Sequence, residues 1–502
     1  MSISAGSSRR LAGDRPSKAG EGRAGRRSMA AAVVALLVLS GLLLLGWGGS
    51  GVDDPARTPG WDRGEASYVP DDSVIAAAWW LPRDATGGVR ADEPPAWTLA
   101  KSGADVAMRW LASYGVPTGD WEASRLVSSW SIGLTWATAM WIGWSLGGAR
   151  SGWFAGLIAL ALPGLAALGR APHPASLTVL ATACATASAM WAVRPMRPAP
   201  GLGRQALGWA LCGLSGGVAV LAGGVLGAWA VAWAVGVAIA LSPGRIGHGL
   251  GMIAAGLVAA LIALPWTLTI AVVDPALVTR WWSGELAGLT ALGGDWPWHD
   301  AASWATGVLR WAALLTLPWT VWAAVALVQP FSTSSGAVRG RLLVMVAVLL
   351  GLWGGLVLLP GAVSIRLALT LTPLAVLLGM TFDRYVAESE EGRLPRLWRV
   401  GALAHGLLLP AASVGLMAYA LSEPWLAQRD LITEAWLRPM PLWRWWVTGG
   451  LLLTVAVVAL VEAWAGRVRR AVLLWVCWVV SALAGCLPAA AGRSVMVFMY
   501  PS

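Results

Sequence analysis

The sequence predicts an all-α integral membrane protein that crosses the bilayer with about thirteen helices. Of its 502 residues, 57% are hydrophobic and only 12% are charged, and the mean hydropathy is +0.64. A soluble protein of this length needs far more charge to cover its surface. Apolar runs of about 20 residues recur along the chain, and each can cross roughly 30 Å of hydrocarbon as a helix. The short alternating segments of a transmembrane β-barrel are missing from the sequence.

The distribution of charge also favours a membrane protein. The formal net charge of +10 is compatible with nucleic-acid binding, but many arginines lie in short segments between apolar runs. This is the pattern of cytoplasmic loops in membrane proteins. We therefore expect membrane lipids as partners and no nucleic acid. The cysteines lie in apolar stretches without a motif spacing, which indicates small buried residues and no disulfide framework; they are Cys184, Cys212, Cys477 and Cys486.

The apolar runs and the arginines together predict a topology. Residues 1–28 form a basic tail that is predicted to be disordered and cytoplasmic, and 29–48 are predicted to be the first helix. Further spans are predicted at 124–147, 152–168, 175–193, 205–222, 224–241, 249–271, 306–329, 342–359, 366–382, 400–420, 447–465 and 471–490. This threading puts the arginine-bearing short segments and the N-terminus in the cytoplasm, and the C-terminus outside the plasma (inner) membrane. It depends on the boundary at Gly223–Gly224, because merging those two helices would reverse every later segment.

The longest polar segment, 49–123, is predicted to lie on the non-cytoplasmic face. Within it, Ser73–Leu81 and Pro95–Tyr114 have helical apolar spacing and several tryptophans, which is typical of helices lying in the membrane interface. The segments 272–305 and 421–446 are predicted to lie on the same face. A site on this face would be built largely from these three segments. The 35 tryptophans of the chain exceed what interface belts require, since many lie inside the predicted spans.

An ordered set of short elements carries a family resemblance. The elements are Glu65-Ala66-Ser67-Tyr68, Asp92-Glu93-Pro94-Pro95, Arg170-Ala171-Pro172-His173-Pro174, Leu264-Pro265-Trp266, Leu317-Pro318-Trp319, and Arg366 near Leu371-Thr372-Pro373. In this order they resemble the GT-C glycosyltransferases of the dolichyl-phosphate-mannose protein mannosyltransferase and aminoarabinose transferase type. The resemblance covers roughly residues 29–382, which form a GT-C-like transmembrane module with 49–123 as its outer loop. Residues 383–502 are predicted to be additional C-terminal transmembrane helices.

The resemblance implies an enzyme of the cell envelope. Such enzymes move a sugar from a polyprenyl-phosphate donor to a lipid, glycan or protein acceptor on the non-cytoplasmic face. A carboxylate can act as the base for a hydroxyl acceptor, and the family position points to Glu65, with Asp62 as the alternative. An arginine matches phosphate oxygens, and Arg366 occupies a suitable position. The resemblance further implies substrate contacts by Tyr68, Asp92, Glu93 and His173. A divalent metal ion, as in some relatives, would be a cofactor bridging Asp92 or Glu93 to phosphate.

The sequence departs from the family pattern at three polar positions. Gly64 replaces the first of two acidic residues, Glu93 replaces a lysine, and Pro174 replaces an acidic residue beside His173. Arg90 and Lys101 are further cations in the outer loop. The departures favour, as an alternative, a relative without catalysis that binds polyprenyl lipid or scaffolds envelope assembly. A secondary transporter is less favoured, because charges lie in loops and at span ends and no internal repeat is found.

Each candidate also has a structural interpretation. Glu65 and Asp62 are then solvated loop carboxylates, and Asp92 and Glu93 favour the start of a helix through its dipole. His173 is then a polar cap at a helix entrance. Arg366 is then a side chain that reaches the membrane interface from the end of a span.

Overall fold

The computed structural model describes residues 94–486 except 115–121, 171–172, 194–200, 243–244, 274, 277–278, 280–300, 333–335, 359–362, 393, 395 and 429–441. All regular structure in the described residues is α-helical. The helices are α1 Pro95–Ala112, α2 Glu122–Gly147, α3 Ala149–Leu160, α4 Pro163–Arg170, α5 Ala175–Val193, α6 Leu202–Ala240, α7 Arg245–Val273, α8 Ala301–Thr316, α9 Thr320–Ser332, α10 Gly336–Leu358, α11 Val363–Glu390, α12 Arg396–Gln428, α13 Leu442–Trp464 and α14 Val468–Cys486.

The predicted class, a polytopic helical membrane protein, is confirmed. Among the described residues, seven helices are long and apolar enough to cross a membrane, or nine if each of two bent helix pairs counts as one span. Every predicted span except 29–48 coincides with one or two described helices. The helix predicted over Pro95–Tyr114 is present as α1. The segments 29–48 and Ser73–Leu81 lie outside the described residues.

Two spans that the sequence predicts as continuous are broken. The predicted span 152–168 is divided into α3 and α4, which differ in direction by 63°, and the span 306–329 into α8 and α9, which differ by 101°. Pro163 and Pro318 stand at the two breaks. Proline lacks the backbone N–H that a continuing helix needs and disfavours helical geometry in the residue before it. An apolar run therefore predicts that these segments are helical but not where they bend.

The boundary predicted at Gly223–Gly224 is present as a reversal within α6. Gly224 has a φ of 54° and a ψ of −137°, a conformation that glycine adopts without a side-chain penalty. A Cβ placed on Gly227 would lie 2.0 Å from the carbonyl oxygen of Ala219. A Cβ on Gly216 would lie 3.5 Å from Val231. The two halves of α6 therefore run antiparallel in close contact, as the charge pattern requires.

Close approaches elsewhere show that neighbouring helices alternate in direction. Gly208 and Gly223 of α6 face Ala192 and Thr178 of α5, so these helices are antiparallel. In the same way, Gly406 and Gly449 show that α12 and α13 are antiparallel, through contacts with Leu460 and Met417. Arg150 at the start of α3 pairs with Asp383 and Glu390 near the end of α11.

These directions bring the arginine-bearing turns to one end of the bundle. We call it the basic end; it carries Arg150, Arg341, Arg384, Arg396, Arg399, Arg467, Arg469 and Arg470. Hydrogen bonds join its turns: Arg341 donates to the carbonyl oxygen of Leu146 at 2.7 Å, and the Ser389 hydroxyl to that of Gly466 at 2.6 Å. The opposite end carries the Gly224 reversal and the starts of α2, α5 and α11.

Part of the tryptophan excess is explained by an aromatic cluster among α9, α11, α12 and α14. Its contacting rings have centroids 4.6 to 6.5 Å apart. Its members are Trp319, Trp322, Phe382, Tyr385, Trp398, His405 and Trp475. Each of these side chains is buried. Aromatic rings in such tilted and edge-to-face arrangements contribute packing energy beyond their buried area. These tryptophans therefore form part of the protein core instead of an interface belt.

Candidate functional site

Two of the predicted site residues, His173 and Arg366, lie at the opposite end of the bundle. His173 precedes α5, and Arg366 lies in the first turns of α11. Helix α11 packs against both α2 and α5. The predicted residues Asp62, Glu65, Tyr68, Asp92 and Glu93 lie outside the described residues, so their roles remain predictions.

His173 is held by hydrogen bonds to α2 and to its own helix. Its backbone N–H donates to the Ser128 hydroxyl at 3.2 Å. The Ser176 hydroxyl lies 3.3 Å from Ser128 Oγ and 2.8 Å from the carbonyl oxygen of His173. Next to this group, the Ser129 hydroxyl donates to the carbonyl oxygen of Gly169 at 2.8 Å. The entrance to α5 is thereby fixed against the first turns of α2.

The imidazole of His173 is a neutral helix cap. Its Nδ1 accepts a hydrogen bond of 3.0 Å from the backbone N–H of Ala175, which is one of the N–H groups that a helix start leaves without an intrahelical partner. Burial lowers the pKa of His173 to about 4. With Nδ1 as an acceptor, the neutral ring carries its proton on Nε2. At neutral pH the His173 ring therefore carries no positive charge.

Arg366 is buried in the protein. Only 8% of its surface is exposed, so its side chain does not extend along the outside of the bundle as the interface-reaching interpretation requires. Moving a cation out of water costs several kcal/mol unless negative charge or hydrogen-bond acceptors surround it. The first turn of α11 contains no carboxylate.

Lys101, predicted only as a further cation of the outer loop, is a second buried cation. It lies on α1 with 3% of its surface exposed. Trp97, four residues earlier on the same helix face, is fully buried. Helix α1 packs against α2 and α6. In the sequence, the four-residue spacing of Trp97 and Lys101 was the signal for this burial, because residues four apart lie on the same face of a helix.

The buried surface around these residues is rich in hydroxyl groups. Buried hydroxyl side chains in the parts of α2, α5 and α11 near this end include Ser128, Ser131, Thr135, Ser176, Thr178, Thr370 and Thr372. Several are satisfied within their own helix: Thr135 donates to the carbonyl oxygen of Ser131 at 2.8 Å, and Thr370 to that of Leu367 at 2.6 Å. These groups make the interior of this end polar without adding charge.

The described residues contain no group of three or more histidine, cysteine, aspartate or glutamate side chains that could hold a metal ion. Asp92 and Glu93, the predicted bridging carboxylates, are outside this part of the chain. A metal at the donor phosphate therefore stays a prediction that rests on those two residues.

Comparison with solved structures identifies the fold class. ArnT from Cupriavidus metallidurans bound to undecaprenyl phosphate matches with a TM-score of 0.61 and 15% identity, covering 91% of this chain and 76% of that one. The apo form of ArnT matches with a TM-score of 0.58 and 16% identity, covering 82% and 70%. No family model and no curated protein matches the sequence.

The protein therefore has a fold of the GT-C type and is an integral membrane protein. At the level of the fold, the resemblance predicted from the ordered motifs is confirmed. At these identities the likeness concerns the fold alone.

Proposed function

We propose that the protein is a membrane glycosyltransferase that moves a sugar from a polyprenyl-phosphate donor to a lipid, glycan or protein acceptor. The observation that carries the proposal is the burial of Arg366 at the end of the bundle where α2, α5 and α11 meet. A guanidinium in that position is suited to the phosphate of a lipid-linked donor, because its planar N–H groups match phosphate oxygens. The neighbour whose structure contains undecaprenyl phosphate supports this choice of donor.

The proposed reaction needs one base and one site of positive charge. A carboxylate, Glu65 or Asp62, takes the proton from the acceptor hydroxyl as its oxygen bonds to the anomeric carbon of the sugar. The bond between that carbon and the phosphate oxygen breaks, and its electron pair leaves with the polyprenyl phosphate. Arg366 stabilises the charge that develops on the departing phosphate. The buried Lys101 is a further source of positive charge near this end.

The test is a transfer assay with the purified full-length protein in liposomes that contain polyprenyl-phosphate sugars. Release of polyprenyl phosphate and appearance of the sugar on an acceptor are measured together. We expect Glu65→Gln to slow turnover by roughly a hundredfold or more, as loss of a general base does. Asp62→Asn is the matched variant. If Asp62→Asn loses activity and Glu65→Gln keeps it, the base is Asp62.

The alternative, a relative without catalysis, is favoured by the replacements at Gly64, Glu93 and Pro174. It predicts binding of polyprenyl phosphate without transfer from any donor. Measuring lipid binding and transfer on the same preparation separates the two functions. Transfer by the parent protein that neither carboxylate variant slows would exclude both residues as the base.

A further inference from the structure

Two helices that begin at the basic end carry arginines in their first turns. Arg396 and Arg399 open α12, Arg469 and Arg470 open α14, and Arg467 directly precedes α14; all five side chains are exposed. Neither helix has an acidic residue in its first turn. Because the start of a helix carries partial positive charge, acidic residues are favoured there and arginines are not. We call these five residues the arginine patch.

The two helix starts lie close to each other. The ring centroids of Trp398 and Trp475, which lie within the first two turns of α12 and α14, are 5.7 Å apart. Leu394, just before α12, lies against Gly466, just before α14; a Cβ on that glycine would be 3.0 Å from the leucine side chain. The two helix starts and their arginines therefore lie on neighbouring parts of the basic end.

Two of the five arginines in the patch lie near one carboxylate. Glu462 accepts a hydrogen bond of 2.9 Å from Arg467 and lies 3.9 Å from Arg470. Within the described part of the chain, Arg396, Arg399 and Arg469 form no ion pair. The nearby carboxylates Glu388 and Glu390 pair with Arg384 and Arg150, which are not part of the patch. An anion on this surface would relieve repulsion among the arginines and the helix dipoles.

The residues that border the patch are apolar and exposed. Val400, Leu403 and Leu407 continue the face of α12 that begins with Arg396, at spacings of three and four residues. Leu473 continues the face of α14 below Arg470 and is also exposed. Trp464, at the end of α13, is 79% exposed. In a membrane protein, exposed apolar helix faces contact acyl chains, and tryptophan marks the level of the headgroups.

We propose that the arginine patch binds the headgroup of an anionic glycerophospholipid from the leaflet at the basic end. The arginines and the two helix starts bind its phosphate, while the apolar face formed by Val400, Leu403 and Leu407 receives an acyl chain. A membrane lipid fits better than a soluble anion, because the charged surface continues directly into an apolar one. This site is separate from the proposed donor site, since Arg366 lies at the other end of α11.

The test measures lipid retention by the full-length protein in detergent, using native mass spectrometry with added phosphatidylglycerol or phosphatidylcholine. The patch variant is Arg396→Gln, Arg399→Gln and Arg469→Gln combined. The control variant removes three other exposed arginines: Arg109→Gln, Arg310→Gln and Arg339→Gln. Each arginine near an anionic surface contributes about 1 kcal/mol, so we expect the patch variant to bind phosphatidylglycerol on the order of a hundredfold more weakly. The control is expected to bind it like the parent.

Circular dichroism and size-exclusion chromatography first establish that both variants fold. Equal loss of phosphatidylglycerol in the patch and control variants would overturn the proposal, because it would show a general effect of charge. Equal retention of phosphatidylcholine and phosphatidylglycerol by the parent would also overturn it. If inorganic phosphate at the same concentration displaces phosphatidylglycerol, the patch is instead a site for a soluble anion, and the proposal is overturned.

Discussion

The indole N–H of Trp319 donates a hydrogen bond of 3.0 Å to the carbonyl oxygen of Ala161. Trp319 lies in the break between α8 and α9, and Ala161 in the break between α3 and α4, so the two bent helix pairs meet at their bends. A helix that ends inside an apolar environment leaves carbonyl groups without partners, and an indole N–H satisfies one of them here. This contact fixes how the segments before and after the bends are arranged.

We expect Trp319→Phe to destabilise the protein by about 1 kcal/mol or more, because it leaves the buried Ala161 carbonyl without its donor. Phenylalanine keeps an aromatic ring at this position, so the packing of the aromatic cluster is retained in part. Thermal unfolding in detergent measures the change. The control is Trp464→Phe at an exposed position, which should unfold like the parent; equal stability of both variants would show that this hydrogen bond contributes nothing.

The sequence predicted the location of the helices better than their course. Charge patterning predicted the reversal at Gly223–Gly224, because only an extra span keeps the arginine-bearing turns on one side. The bends at Pro163 and Pro318 were not predicted, because the apolar runs continue across them. Their course depends on the distant partner that each bend meets. Likewise, the burial of Lys101 depends on how α1 packs against α2 and α6, which the composition of α1 alone does not determine.

A second contact, between α6 and α10, gives a stability prediction with a close control. Trp233 donates a hydrogen bond of 2.9 Å to the carbonyl oxygen of Ala347, and a Cβ on Gly351 would lie 1.6 Å from its ring. Gly351→Ala must therefore displace Trp233, and we expect a loss of about 1–3 kcal/mol. Gly354→Ala, on the same helix with no atom within 4 Å of the added Cβ, should leave stability unchanged or raise it. Similar unfolding temperatures for the two variants would contradict this packing.

The depressed pKa of His173 predicts a dependence of stability on pH. The pKa is about 4 in the folded protein and about 6.5 in the unfolded chain, so the unfolded state binds more protons between these values. The contribution to stability is complete above about pH 6.5 and is lost as the pH falls toward 4, by up to about 3 kcal/mol at roughly 1.4 kcal/mol per pKa unit. His173→Asn keeps a capping oxygen and does not titrate.

Unfolding measured at several pH values between 7.5 and 4 tests this. The parent should lose stability relative to His173→Asn as the pH falls. Parallel curves for the two proteins would show that His173 is not buried in its neutral form.

The orientation of the bundle in the membrane gives a further prediction. The arginine distribution predicts that the basic end faces the cytoplasm. In a chain whose native cysteines are replaced by alanine, Ser102→Cys and Ser335→Cys should react with a membrane-impermeant thiol reagent from opposite sides. Ser102 lies on α1, and Ser335 lies just before α10, outside the described residues. Labelling of both positions from the same side would contradict the alternation of the helices between them.

Arg366 gives the prediction that tests the proposed donor site most directly. Hydrogen bonds to charged groups contribute more than neutral ones, about 1.5–3 kcal/mol each. Arg366→Gln should therefore bind undecaprenyl phosphate roughly 10- to 100-fold more weakly, and sugar transfer should fall with it. Arg366→Lys keeps the charge but loses the two-pronged geometry, so its affinity should lie between those of the parent and Arg366→Gln.

The control is Arg310→Gln, which removes one positive charge at an exposed position elsewhere on the chain. It should bind the lipid like the parent. Weaker binding by Arg310→Gln as well would indicate a general charge effect, and parent-like binding by Arg366→Gln would remove Arg366 from the donor site.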